Sequence, residues 1–195
     1  MVGEPSVRGM DSNLVVRAQQ GDQQAFETLA GAAHPRLYRV ALGVLQDAHT
    51  ADDATQQALI GIWRYLPRLR DPLKFDGWSY RLVVRACYAE AKRRPGWLPD
   101  TAISPTHEPV ASDDFLDVVR RDQLERAFPR LSVEQKAVIV LRYKLDLPLE
   151  QVADALDVSV GTVAARLNRA LKALRAALDA DARPVAPARE KAAVR

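Results

Sequence analysis

Between Leu147 and Arg175 the sequence LPLEQVADALDVSVGTVAARLNRALKALR repeats apolar residues at helical spacing on both sides of a short break, DVSVG. No other segment limits the fold as tightly. On a 3.6-residue period Val163, Leu167, Ala170, Leu171, Leu174 and Leu178 share one stripe, while Arg166, Arg169, Lys172 and Arg175 fall outside it. The preceding stretch has its own stripe, Leu149, Val152, Ala153 and Leu156, with Pro148 near its first turn, where a missing amide costs little. Two helices with such stripes close on each other. Asp157 falls in the turn between them, where a left-handed residue is usual and Gly is cheapest. Ser159 is placed to cap the second helix. From Ser159 to Leu178 no acidic residue interrupts the sequence, so the outer face carries cations with no local counter-charge and attracts phosphates. Gly161, Ala164 and Ala165 are short enough to let the helix start approach DNA closely, with Thr162, Ala165, Arg166 and Arg169 on the outward face. The plainer alternative is an amphipathic hairpin with a solvated basic face.

Composition narrows the class. A chain of 195 residues that is 48% hydrophobic can build one or two cores. Its net charge of +3 is modest, so an argument for nucleic acid rests on where the charge lies. One cysteine, Cys87, and three scattered histidines supply neither a disulfide framework nor a zinc site, so no metal or cofactor is expected. Cys87 reads as a small buried residue. Neither a signal peptide nor the roughly 20 apolar residues of a membrane span is visible, and a cytoplasmic location is expected.

From Asn13 to Arg94 the pattern is helical, without sustained alternation. Gly21 and Asp22 separate the first helices, and Asp47 to Thr50 marks another break. A helix is expected from Ala51 to Leu66, with Ala58, Leu59, Ile62 and Trp63 inward, Asp52, Asp53, Gln56 and Gln57 in a polar N-terminal half, and Pro67 as its stop. The connection RLRDPLKFDGW holds the turn formers Asp71, Pro72, Asp76 and Gly77, and presents Lys74 and Phe75 for contact. A further helix, Trp78 to Arg94, ends in KRR, with Trp78 and Leu82 packing inward. The next segment, rich in Pro, Ser, Thr and Asp, reads as a flexible linker. Helical pattern resumes near Phe115, and Ser132 with Gln135 forms a capping-box pattern for a helix ending near Tyr143. The expected architecture is all-α: a disordered extension at 1–11, a helical domain at 12–94, a Pro-rich linker at 95–114, a second helical domain at 115–180 and a disordered basic tail at 181–195.

This order of parts, LVVRAQQGDQQAFETL, ADDATQQALIGIW, FDGWSYRLVVRACYAEAKRR, a Pro-rich linker and the C-terminal hairpin, resembles the extracytoplasmic-function (ECF) class of bacterial RNA polymerase sigma factors. The resemblance covers about Ser12 to Arg94 and Val118 to Leu178. It implies binding to core RNA polymerase, through the clamp of the largest subunit and the flap of the second largest, and to promoter DNA. Asp52, Asp53, Gln56 and Gln57 match the helix that docks on the clamp, where carboxylates and amides meet an Arg-rich partner. The connection and helix after it match the part that opens DNA at the minus-ten element by holding a base out of the stack and clamping the freed strand. Lys74, Phe75, Tyr80, Arg81, Arg85, Lys92 and Arg93 are the candidates there, with Trp78 more structural than stacking. Arg85 stands where many members carry Asn, Asp76 where many carry Arg, and Asp157 where Gly is usual. Ser159, Thr162, Ala165, Arg166, Arg169 and Lys172 are the candidates for the minus-thirty-five element. An anti-sigma partner is common in the family, although nothing in the sequence names one.

The competing reading is a stand-alone, dimeric helix-turn-helix regulator, which requires a sensing pocket and a dimer face. An enzyme is disfavoured by the lack of a phosphate loop, a metal cluster or a nucleophile paired with a base.

Overall fold

The computed structural model describes residues 10–93 and 121–182. Among them are eight α-helices: α1 Ser12–Gln19, α2 Gln23–Leu45, α3 Ala48–Tyr65, α4 Phe75–Arg93, α5 Arg121–Ala127, α6 Val133–Ile139, α7 Leu149–Leu156 and α8 Val160–Ala182. No strand occurs among the described residues. The linker expected at 95–114, the beginning of the second domain before residue 121, Arg94 and both chain ends lie outside them.

Aspartates divide the N-terminal domain into helices. Asp11, Asp22 and Asp47 adopt extended backbone and accept the N–H groups of Asn13, Ala25 and Thr50, satisfying donors that a helix start leaves orphaned. The Ala25 N–H, followed by the Arg17 guanidinium, holds the Asp22 carboxyl below its ordinary range. Gly21 turns between α1 and α2 at φ +90°, a conformation that L side chains resist. Met10 and Asp11, expected within a disordered extension, belong to the fold: Asp11 caps α1, and the Met10 N–H donates to Asp76 Oδ2 at 3.0 Å.

Helix α2 packs against α1, α3 and α4 and forms the centre of this domain. Val15, Leu29, Leu37, Val40, Val44, Ile62, Leu66, Phe75 and Val83 are fully buried around it, each contributing about 1.5–3 kcal/mol of transfer free energy. The inner face of α3 is mostly alanine, with Ala51, Ala54 and Ala58 ahead of Ile62. Trp63 corrects the expectation: it is 57% exposed, set edge-on against Phe26 with ring centroids 4.5 Å apart. It lies about 100° round the helix from Ile62, beyond the narrow buried stripe.

In the C-terminal domain α5, α6 and α7 all pack on α8. The capping box forms in both directions: Gln135 N–H donates to Ser132 Oγ at 3.2 Å and Ser132 N–H to Gln135 Oε1 at 3.0 Å. After α6 the backbone widens into a π-turn over Val140–Lys144, and Pro148 then precedes α7 as its N-cap. Asp157 ends α7 in the left-handed region at φ 58°, as its place in the turn required. Val163, Leu167, Ala170 and Leu174 are buried from α8, and Val152 and Ala153 from α7. Ala155, off the α7 stripe, is buried as well, because α7 also packs against α4 of the first domain. Helix α2 meets α6 in the same interface, where Gly43 allows close approach: a Cβ there would lie 2.8 Å from a Val140 methyl.

Candidate nucleic-acid interface

The connection between α3 and α4 is held from beneath. Gln19 donates its side-chain amide to the carbonyls of Leu66 and Leu69 at 3.0 and 2.7 Å, fixing the 3₁₀ turn Leu66–Arg68 that follows α3 through Pro67. Asp71 accepts the Leu73 N–H at 3.0 Å and starts a second 3₁₀ turn, Pro72–Lys74, which leads directly into α4. Helix α4 therefore begins at Phe75 rather than Trp78. Asp76 pairs with Arg36 of α2 at 2.9 Å, anchoring the start of α4.

This geometry sorts the minus-ten candidates. Lys74 is exposed beside Leu73, which is 80% exposed, and Arg81 and Arg85 leave the outer side of α4. Lys92 and Arg93 are exposed at its C-terminal end, where Arg93 also pairs with Glu90 at 2.6 Å. Phe75 and Tyr80 correct the expectation. Phe75 is fully buried and Tyr80 is 4% exposed, so neither ring is offered to a base in this conformation. Burial raises the Tyr80 phenol above its ordinary pKa. Both face the core because α4, which includes Phe75 as its first residue, packs on α2 and α3. Trp78 and Leu82 are half-buried against the core. Cys87 is fully buried, and desolvation pushes its thiol up to about 12, which removes the thiolate that redox sensing needs.

On α3, Gln56 and Gln57 are exposed and Asp52 and Asp53 half-exposed. Gln56 donates to Asp52 at 2.9 Å along the helix, and His49 lies 3.9 Å from Asp53. Beyond them on the surface of α3 come Ile60 at 50% and Trp63 at 57% exposure, an apolar extension that the sequence reading missed.

In the hairpin, Ser159 Oγ accepts the Thr162 N–H at 3.2 Å and lies 2.9 Å from the Thr162 hydroxyl, so both expected polar residues are partly engaged in capping α8. Ala165, Arg166 and Arg169 are half-buried and Lys172 exposed along α8. The hairpin turn also reaches the other domain. Arg85 lies 2.8 Å and Arg81 3.2 Å from the Asp157 carboxylate, and Arg81 Nε donates to the Asp154 carbonyl at 2.9 Å. Two of the noted departures, Arg85 and Asp157, are thus each other's partners. Between the domains a cleft of about 500 Å³ is lined by Leu73, Lys74, Trp78 and Arg81 on one side and Leu147, Gln151 and Asp154 on the other. Among the described residues no cluster of His, Cys, Asp or Glu could hold a metal ion, and no helix is long and apolar enough to cross a membrane.

A basic helix-turn-helix joined to a helical domain with a cationic, loop-led helix defines a class of protein: residues 29–95 match the family described as Sigma-70 region 2, and residues 121–174 match Sigma-70, region 4. The chain is 31% identical over 160 residues to the ECF RNA polymerase sigma factor SigM of Mycobacterium tuberculosis (strain ATCC 25618 / H37Rv), covering 82% of this chain and 80% of SigM. It is 26% identical over 178 residues to the ECF RNA polymerase sigma factor SigW of Bacillus subtilis (strain 168), covering 85% and 95%. The fold is shared with CnrH, solved in complex with the cytosolic domain of CnrY, at TM-score 0.61 and 24% identity over 88% of this chain and 98% of that one. This protein belongs to the ECF RNA polymerase sigma factors. It is therefore a transcription initiation factor that binds core RNA polymerase and promoter DNA.

Proposed function

We propose that the protein is a cytoplasmic, non-enzymatic sigma factor whose two domains divide promoter recognition, with catalysis left to the polymerase. The observation that carries this reading is the presence of both sigma regions in one chain, in order, each with exposed or half-exposed cations on one helix. Core binding falls to the outer face of α3, where Asp52, Asp53, Gln56 and Gln57 supply the polar half and Ile60 and Trp63 the apolar half. That combination suits a clamp helix bearing both Arg and aliphatic side chains. Lys74, Arg81, Arg85, Lys92 and Arg93 track the melted minus-ten strand through its phosphates. Phe75 and Tyr80 support α4 from within. Ser159, Thr162, Ala165, Arg166, Arg169 and Lys172 face the minus-thirty-five duplex, while the C-terminal domain rests on the polymerase flap. CnrH was solved with a partner protein and RpoE of Bartonella quintana with the anti-sigma factor NepR, which supports an anti-sigma partner here as well.

The test is co-purification with bacterial core RNA polymerase, followed by transcription from a promoter library. Saturable binding and new start sites that share two spaced upstream elements are expected. Duplex binding by the protein alone, without binding to core, would favour the stand-alone regulator. Within the complex, Asp52→Lys with Asp53→Lys is expected to abolish core binding, and unchanged affinity would remove both residues from the interface.

A further inference from the structure

On α8 the buried residues Val163, Leu167, Ala170 and Leu174 fix which way the helix faces. At about 100° per residue Gly161, Ala165 and Lys172 lie opposite them, and Asn168 and Arg169 flank that outward line at about 50° on either side. Most of this surface is committed or chemically blank. Gly161, Ala164 and Ala165 carry no polar side-chain atom. The Ser159 and Thr162 hydroxyls lie 2.9 Å apart, and Ser159 Oγ also accepts the Thr162 N–H at 3.2 Å in capping the helix. Arg169 has its Nη2 sealed from solvent. Arg166 is half-buried, lies further round the side and offers donors only. Among the described residues in the first three turns of α8, Asn168 alone keeps both a donor and an acceptor uncommitted, at a half-exposed position. Stability does not explain its presence. Asn is a poorer helix former than Ala, and no side-chain hydrogen bond to a described residue offsets that.

We propose that Asn168 is a specificity-determining residue of the helix-turn-helix, reading one adenine of the minus-thirty-five element in the major groove. This role rests on the assignment of α8 to that duplex. Adenine presents an acceptor, N7, beside a donor, the N6 amino group. The Asn168 amide meets both at once, Nδ2 donating to N7 and Oδ1 accepting from N6. Guanine presents two acceptors, so Oδ1 would face O6 with no proton between them. Asn is short, and it reaches a base edge only from a helix seated deep in the groove. Gly161, Ala164 and Ala165 keep the outward side low enough for that, and Lys172 follows one turn later within reach of phosphate.

The test is transcription by the full chain bound to bacterial core RNA polymerase, from a promoter library randomised across the minus-thirty-five region. The wild type is expected to select adenine at one position. Asn168→Ala is expected to relax that position alone, cutting its discrimination about 5- to 100-fold while the rest of the motif is retained. Asn168→Arg is expected to shift the same position toward guanine, whose O6 and N7 a guanidinium meets with two bonds. Alanine is the better helix former, so Asn168→Ala is expected to melt no lower than the wild type. Lys172→Ala is the comparison, expected to weaken all sequences alike. An unchanged preference at every position in Asn168→Ala, beside uniform weakening by Lys172→Ala, overturns the proposal and leaves α8 on the duplex. Uniform weakening by Asn168→Ala also overturns it, because Asn168 is then a backbone contact. If neither Asn168→Ala nor Lys172→Ala alters promoter use, α8 does not face the DNA, and the assignment beneath the proposal falls with it.

Discussion

Removing the cap of α3 separates the stability of the N-terminal domain from its ability to meet the polymerase. Asp47 Oδ1 accepts the Thr50 N–H at 2.9 Å and the Thr50 hydroxyl at 2.8 Å, immediately before the polar half of the helix. In Asp47→Ala the first turn loses its side-chain acceptor, at a cost of about 1 kcal/mol, and a favourable charge at the positive end of the helix, worth about 0.3–1 kcal/mol. Together these lower stability by about 1–2 kcal/mol, or roughly 5–10 °C in Tm for a domain of this size. Asp47→Asn keeps an acceptor oxygen and loses only the charge, so a fall of about 0.3–1 kcal/mol is expected. Urea unfolding of the full chain measures both differences. The fraying in Asp47→Ala spreads toward Asp52 and Asp53 and is expected to weaken core polymerase binding several-fold, with Asp47→Asn near wild type. Equal destabilisation by Asn and Ala would show that charge, not the cap, matters. Wild-type polymerase affinity in a clearly destabilised Asp47→Ala would refute the link between an ordered α3 start and the interface.

Arg166→Ala and Arg169→Ala are expected to weaken promoter binding by the holoenzyme without affecting core binding. A phosphate contact lowers the log–log salt slope by about 0.9, whereas a base reader costs about 1–3 kcal/mol and relaxes one promoter position. If core binding falls with DNA binding, the hairpin is a structural element rather than a reader. Cys87 is expected to resist thiol reagents at pH 8 in the folded chain and to react only on unfolding; rapid labelling of native protein would contradict its burial. Its thiol rises from an ordinary 9.0 to about 12 on folding, so the unfolded chain releases that proton first. The associated stability is complete below about pH 9 and is lost as pH climbs toward 12, a trend that Cys87→Ala should abolish in pH-dependent melting. Lys136 is 8% exposed, and desolvation lowers its pKa. Lys136→Met keeps the aliphatic stem without the charge and is expected to stabilise the C-terminal domain by about 0.5–2 kcal/mol in urea titration. A loss of stability would mean that the ammonium has partners that outweigh its desolvation.

Much of the molecule was legible in the chain because its signals are local. Helical period, the break at Gly21 and Asp22, the Ser132 and Gln135 box and the turn at Asp157 each involve residues within a few positions of one another, and each formed where the spacing placed it. The basic face of α8 followed from the same periodicity. Trp63, Phe75 and Tyr80 went the other way because periodicity says that a residue lies near a stripe but not how wide the buried stripe is. On α3 the stripe is narrow and alanine-lined, which turns Trp63 outward; α4 packs not only on α2 and α3 but also on α6 and α7, so more of its surface is buried, Phe75 and Tyr80 included.

By itself, then, the sequence determined an all-helical chain, several of its turns and the two sigma regions in their order, since all of these are written in short-range pattern. Only the tertiary structure decided which aromatic rings are core, that Ile60 and Trp63 prolong the polar face of α3, and that Arg81 and Arg85 meet Asp157. Those outcomes depend on surfaces brought together from distant parts of the chain, as the pairing of Arg85 with Asp157 across 72 positions illustrates. No helical period encodes how such surfaces pack, because that is settled by shape and charge once the helices exist.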